Sequence, residues 1–147
     1  MGMLRYEIVD VFTGRAFAGN PLAVVFGGAG LGRDQMQRVA AEFNLSETAF
    51  VLPPTQDSAS YRVRIFTPVE ELPYAGHPSI GTAVTLARRG DIGYGDAVQE
   101  CGAGLLPVTI DGEFATLTGG APTVGDAVDP APLLAATGLD ESDLAGR

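Results

Sequence analysis

Short apolar stretches separated by turn residues run through most of the chain and predict a sheet of many short strands. Apolar and polar residues alternate strictly over Tyr61–Pro68, which places Tyr61, Val63 and Ile65 on one face. The continuous apolar run Leu22–Phe26 is typical of a buried strand. Further strand signals lie at 4–13, 46–53, 97–104, 105–111 and 114–119.

Two segments show helical spacing instead. The first, 33–44, has apolar residues at intervals of three and four and follows a glycine-rich stretch, 27–32, that predicts a flexible surface turn. The second begins at Pro78 and stops at Gly90. Its apolar stripe consists of Ile80, Ala83, Val84 and Ala87. Because its side chains are small, we expect this helix at the centre of a curled sheet.

Charge and cysteine content narrow the function classes. The net charge is −9 and all nine cationic residues are arginine, which argues against binding to nucleic acid. No apolar run approaches the roughly 20 residues of a membrane span, and the first residues show no secretory signal pattern. Cys101 stands alone, which excludes an internal disulfide and the usual Cys/His zinc sites and favours a reducing cytoplasm. We therefore expect no metal, nucleic-acid or membrane partner.

Two motifs could carry chemistry. Glu47 lies in NLSETAF, where a partly buried carboxylate could exchange protons near neutral pH, although it could also cap a strand or lie at the surface. His77, the sole histidine, precedes Pro78 at the predicted helix start. There the free backbone N–H groups of Ser79, Ile80 and Gly81 would bind a substrate carboxylate, whereas the alternative is an ordinary cap or loop histidine. The adjacent Glu70 and Glu71 predict a solvated pair facing opposite ways.

The segments DVFTGRAFAGNPLAVV, NLSETAFV, YRVRIFTPVEELPYAGHPSIGTA and GAGLLPV, in this order, resemble the N-terminal half of the phenazine-biosynthesis PhzF-like family. The resemblance implies an α+β, diaminopimelate epimerase-like fold with two lobes. Each lobe is a curled, mostly antiparallel sheet or barrel around a central helix, and the active site lies between the lobes. Residues 1–120 would form the first lobe, and 121–147 a linker with one short helix near Pro132–Thr137 and the start of the crossover to the second lobe.

The same resemblance implies an isomerase that needs no cofactor and moves a proton within a small carboxylate-bearing substrate. Its known member isomerises a dihydro-hydroxyanthranilate. Glu47 would move the proton, His77 would assist, and substrate would be bound by Asn20, Gly76, Pro78, Ser79, Ile80 and Gly81. The two-cysteine mechanism of the epimerases is disfavoured, because Cys101 lies in another segment.

Members of this family are about twice as long, and the aspartate and second glycine-rich motif of their second lobe are not found here. The chain is therefore expected to be a fragment, one half of a split protein, or a protein whose role needs only one lobe. If it acts as a separate lobe, a homodimer or a separate second-lobe chain would complete the cleft. The exposed wall should include apolar residues near Phe17 and Tyr74, because large exposed apolar patches are usually covered by a partner. The alternative function is a non-catalytic module that binds a small carboxylate ligand or a partner chain.

Overall fold

The computed structural model describes residues 3–144, in which eight strands form one mixed sheet with three α-helices. The strands are β1 (Arg5–Val11), β2 (Asn20–Phe26), β3 (Glu47–Leu52), β4 (Tyr61–Phe66), β5 (Glu71–Leu72), β6 (Gly95–Cys101), β7 (Gly104–Asp111) and β8 (Phe114–Leu117). The helices are α1 (Arg33–Phe43), α2 (Gly76–Arg89) and α3 (Ala131–Thr137).

The sheet curls around α2 as a half-barrel. Its strand order is β1-β2-β3-β4-β6-β7-β8, with β5 paired to β4. Among the described residues, five of the seven strand pairings are antiparallel, and the β2–β3 and β4–β6 pairings are parallel. Both edge strands, β1 and β8, contact α2 although they do not pair with each other. The predicted fold class, a curled and mostly antiparallel sheet around a central helix, is confirmed.

Strand alternation divides the core into two layers. The inner layer packs against α2 and includes the predicted face of Tyr61, Val63 and Ile65. The outer layer joins the sheet to α1 and is formed by Val25, Met36, Ala40, Phe50, Leu52 and Phe66. Alternate residues of one strand therefore serve different layers, which is why β2 and β3 are apolar on both faces.

The central helix lies close to the sheet because its residues are small. A Cβ atom on Gly81 would lie 2.6 Å from Val11 Cγ2 and 2.8 Å from Leu22 Cδ2, so the backbone of α2 approaches β1 and β2 through this glycine. Ala83 and Ala87 are buried in the same helix, while Ile80 and Val84 of the predicted stripe are only half-buried. The burial of α2 thus extends well beyond the predicted stripe.

Two segments outside the sheet are also informative. The glycine-rich stretch predicted as a surface turn forms a short 3-10 turn, and Gly28 in it is buried beside Phe50, Leu52 and Met36. The one short helix predicted in the tail is α3. No helix within residues 3–144 is both long enough and apolar enough to cross a bilayer. The proposed division of the chain at residue 120 stays a prediction.

Candidate functional site

One end of the half-barrel gathers the starts of β2, β3 and α2. Parallel pairing of β2 with β3 aligns Leu22 with Glu47, so the first residues of both strands lie at the same end. Asn20 begins β2, and its Oδ1 accepts a hydrogen bond of 3.1 Å from Ser46 Oγ, next to Glu47 in the chain. The fold therefore brings Asn20, Glu47 and His77 to one end, although they lie far apart in sequence.

The central feature of this end is a close pair of a carboxylate and an imidazole. Glu47 Oε2 lies 3.4 Å from His77 Nε2, and the two side chains are 19% and 8% exposed. Both atoms are buried, and neither has a hydrogen-bond partner within the described part of the chain. Buried polar atoms are nearly always hydrogen-bonded, so this unpartnered pair is the candidate site for binding a polar group or exchanging a proton.

Burial sets the protonation of the imidazole. It lowers the pKa of His77 from its ordinary value of 6.5, against the opposing effects of the Glu47 carboxylate and the Pro21 carbonyl. Burial therefore favours the neutral imidazole, in which one ring nitrogen donates a hydrogen bond and the other can accept a hydrogen bond or a proton. This imidazole faces the Glu47 carboxyl group directly.

The start of α2 differs from the prediction. The helix begins at Gly76 with Ala75 as its N-cap, two residues before the predicted first position Pro78. The Ser79 N–H donates to the Ala75 carbonyl at 3.3 Å, and the N–H groups of Ile80 and Gly81 lie deeper in the helix. The prediction that these three N–H groups are free is wrong. The N–H groups that the helix leaves without a partner of its own belong to Ala75, Gly76 and His77, and Gly76 is exposed.

The other predicted binding residues of this helix serve its packing. Pro78 is buried, and its missing N–H costs nothing in the first turn, where helical N–H groups have no partner. Ser79 is fully buried and its hydroxyl donates to the Ala75 carbonyl at 2.8 Å. Gly81 is the close contact to the sheet described above, and Ile80 packs against the inner core. Their role in binding substrate stays a prediction.

Exposed apolar side chains surround the same end. Phe17 is 99% exposed and Tyr74 is 40% exposed, as expected for an uncovered wall. Phe12 and Val69, which the sequence analysis missed, are 74% and 83% exposed on the loops that follow β1 and β4. Phe12 and Phe17 also have left-handed backbone conformations, with φ of 63° and 64°. Neither position is a glycine, so the sequence gave no indication of a left-handed backbone there.

Two other carboxylates, those of Glu71 and Glu100, accept hydrogen bonds from an arginine or from backbone groups. They do not belong to the Glu47–His77 pair. Glu71 accepts two hydrogen bonds from Arg64, at 2.6 and 2.8 Å, and Arg64 above all lowers the pKa of Glu71. Glu71 is thus not the solvated loop residue that was predicted, whereas Glu70 is exposed. Glu100 accepts from the hydroxyl and N–H of Thr55, which lower its pKa. Residues 3–144 contain no group of three potential metal-ligating side chains.

Comparison with known proteins identifies relatives over most of the chain. The family profile described as "Phenazine biosynthesis-like protein" matches residues 9–125. The trans-2,3-dihydro-3-hydroxyanthranilate isomerase of Pseudomonas aeruginosa is 43% identical over 145 residues, which cover 95% of this chain and 51% of that protein. "Antisense-enhancing sequence 1" of Schizosaccharomyces pombe is 47% identical over 110 residues, which cover 74% of this chain and 37% of that protein.

A solved structure agrees in fold as well as in sequence. A predicted epimerase from Pseudomonas aeruginosa superimposes with a TM-score of 0.80 at 31% identity, covering 98% of this chain and 54% of that one. The chain spans about half the length, or less, of the relatives it matches. The order of the motifs, the half-barrel around α2 and these matches agree, and the chain belongs to the phenazine biosynthesis-like (PhzF) family.

Proposed function

We propose that this chain is the glutamate-bearing lobe of a cofactor-independent isomerase that moves a proton within a small carboxylate-bearing substrate. The observation that carries the proposal is the buried, unpartnered pair of Glu47 Oε2 and His77 Nε2, 3.4 Å apart. The relatives named as isomerases support the same reaction class.

In this reaction the Glu47 carboxylate removes a proton from one atom of the substrate and returns it to another. The substrate's composition does not change, and Glu47 ends as the carboxylate it was at the start. His77 lies close enough to accept a hydrogen bond from the protonated Glu47 or to hold a polar group of the substrate. Burial disfavours the protonated imidazole, which opposes transfer of the proton from Glu47 to His77.

The substrate carboxylate would bind at the start of α2. The free N–H groups of Gly76 and His77 point out of the helix, whose N-terminus favours negative charge. Asn20 would add a side-chain amide to the same end. The substrate of the Pseudomonas aeruginosa relative, trans-2,3-dihydro-3-hydroxyanthranilate, carries a carboxylate and is the natural first probe.

The proposal includes a second surface that covers this end of the half-barrel. Phe12, Phe17 and Val69 are exposed apolar side chains at the same end as Glu47 and His77. A second lobe in the same protein, a second copy of the chain or a separate chain carrying the second lobe would cover this end. The cytoplasm expected from the lone Cys101 is the compartment we propose. The competing function, a non-catalytic module for a small carboxylate or a partner chain, is favoured by the same uncovered wall.

The test is Glu47→Gln in an assembly that contains both lobes, assayed for isomerisation of trans-2,3-dihydro-3-hydroxyanthranilate. Loss of a general acid/base typically costs 10²–10⁴-fold in rate, so we expect turnover to fall by about that factor while binding is retained. Glu42→Gln, at an exposed position of α1, is the matched control and should keep full activity. Full turnover in the Glu47 variant would reject the assignment.

The two functions are separated by light scattering and by binding. An isomerase lobe should associate at micromolar concentration with a copy of itself or with a second-lobe protein, and the complex should turn over substrate. A module should bind the carboxylate without exchanging substrate protons with deuterated solvent. A stable monomer that binds neither protein would contradict the assembly on which the isomerase depends.

A further inference from the structure

A chain of buried hydrogen bonds connects the sheet to the start of α2. The Tyr61 hydroxyl donates to Gln99 Oε1 at 3.2 Å, and Gln99 Nε2 donates to Ser79 Oγ at 2.9 Å. Ser79 Oγ in turn donates to the Ala75 carbonyl at 2.8 Å. Tyr61, Gln99 and Ser79 are all at most 3% exposed. This series of hydrogen bonds therefore runs through buried side chains from β4 and β6 to the N-cap of the central helix.

The direction of these bonds fixes the orientation of the Gln99 amide. Because the Ser79 hydroxyl donates to Ala75, its oxygen can only accept from Gln99, and the amide nitrogen must face it. The amide oxygen is then left for the Tyr61 hydroxyl. Gln99 shares the inner face of β6 with Ala97, which lies in the apolar cluster around α2. An apolar side chain would fit such a cluster, so the amide at this position needs a reason.

The position of Ala75 and Ser79 supplies that reason. Ala75 offers no side-chain cap to the helix, so the free N–H groups of the first turn have no capping partner on the N-cap residue. His77 lies in this turn, and its imidazole faces Glu47 on β3. The first turn of α2 is thus held on one side by Gln99 of β6. On another side the His77 imidazole of the same turn contacts β3.

We propose that Gln99 is a positioning residue that holds the first turn of α2 so that His77 stays against Glu47. The inference deepens the proposed function and rests on it, because the pair is the site of proton transfer there. Gln99 touches neither reacting group in this role, since it acts through Ser79 and the Ala75 carbonyl. Loss of its bonds frees the turn to move, and the 3.4 Å approach of Glu47 to His77 is lost with it.

The experiment measures the coupling of Glu47 to His77 by NMR on the full chain without substrate. His77 is the sole histidine, so its imidazole signals need no assignment. Glu47→Gln should lower the titration midpoint of His77, because the carboxylate opposes the effect of burial. The same substitution is then made in a Gln99→Met background, which keeps an unbranched side chain of similar length. We expect the shift caused by Glu47→Gln to fall to less than half there.

Val108→Ala is the control, because Val108 is buried in the inner core and takes no part in the hydrogen-bond chain. It loosens packing around α2, yet the Glu47 shift should stay at its wild-type size. An unchanged shift in Gln99→Met, or an equal loss in Val108→Ala, would overturn the proposal. If Gln99→Met does not fold, Ser79→Ala decides by the same criterion. The NMR experiment measures no turnover, so it tests the positioning role of Gln99 separately from the isomerase function. Failure of the isomerase function would appear only in the turnover assay of Glu47→Gln.

Discussion

The close approach of α2 to the sheet at Gly81 can be tested by one added methyl group. In Gly81→Ala the new Cβ would lie 2.6 Å from Val11 Cγ2 and 2.8 Å from Leu22 Cδ2, well inside normal contact distance. Val11 is 5% exposed and Leu22 is fully buried, so neither side chain can turn into solvent to make room. The helix or one of the two strands must move instead.

Two opposing effects set the magnitude. Overpacking of a well-filled core typically costs about 1–3 kcal/mol, whereas replacing a mid-helix glycine by alanine gains about 1 kcal/mol through helix propensity. The difference predicts that the free energy of unfolding falls by about 1 kcal/mol. For a chain of this size that corresponds to a decrease in Tm of roughly 2–4 °C.

Thermal unfolding followed by circular dichroism measures this change. Gly76→Ala is the matched control on the same helix, because the nearest atom to its added Cβ is the Tyr74 hydroxyl at 3.9 Å. It should change stability by less than about 0.5 kcal/mol. Val11→Ala should relieve the contact, so the double variant with Gly81→Ala should lose less than the sum of the single variants by at least about 0.5 kcal/mol. A Gly81→Ala protein more stable than wild type by the full helix-propensity gain of about 1 kcal/mol would refute the close approach.

Three other outcomes are expected. Burial lowers the pKa of His77 from 6.5, so His77 binds a proton in the unfolded chain before it does so in the folded one as the pH falls. The free energy of unfolding should therefore decrease below about pH 6.5. Urea titrations at several pH values should show that His77→Asn lacks this decrease. Glu71→Gln loses the paired bonds from Arg64 and should cost about 1 kcal/mol or less in chemical denaturation, because the pair is partly solvated. Phe17→Ser removes a fully exposed apolar side chain and should reduce self-association in light scattering, whereas unchanged association would place the interface elsewhere.

The sequence predicted the elements whose signals are local. The small residues of α2, with the glycine that ends it, were sufficient to place this helix at the centre of a curled sheet. Alternation over β4 assigned Tyr61, Val63 and Ile65 to the inner layer, as observed. Glu47 and His77 were named from their motifs, but their contact depends on the packing of α2 against β3, which no local pattern records.

The helix start was misplaced for a physical reason. Proline is accepted at any of the first three helical positions, since none of them donates within the helix, so Pro78 alone could not define the first residue. Ala75 has no side-chain acceptor and therefore gave no capping signal. The Tyr61–Gln99–Ser79 chain was missed because its members are 38 and 20 residues apart and meet only through strand register.

The candidate site lies at one end of the half-barrel, here called the chemical end. The opposite end is therefore a suitable position for attaching a label. The starts of β2, β3 and α2 all lie at the chemical end. The turn between β7 and β8, at Gly112, lies with the last turn of α2 at the opposite end, because β7 runs away from the loop that joins it to β6. Gly112 has a φ of 60° and open space around it. A fluorophore or tether inserted beside Gly112 should report on association of the lobe while leaving Glu47 and His77 undisturbed.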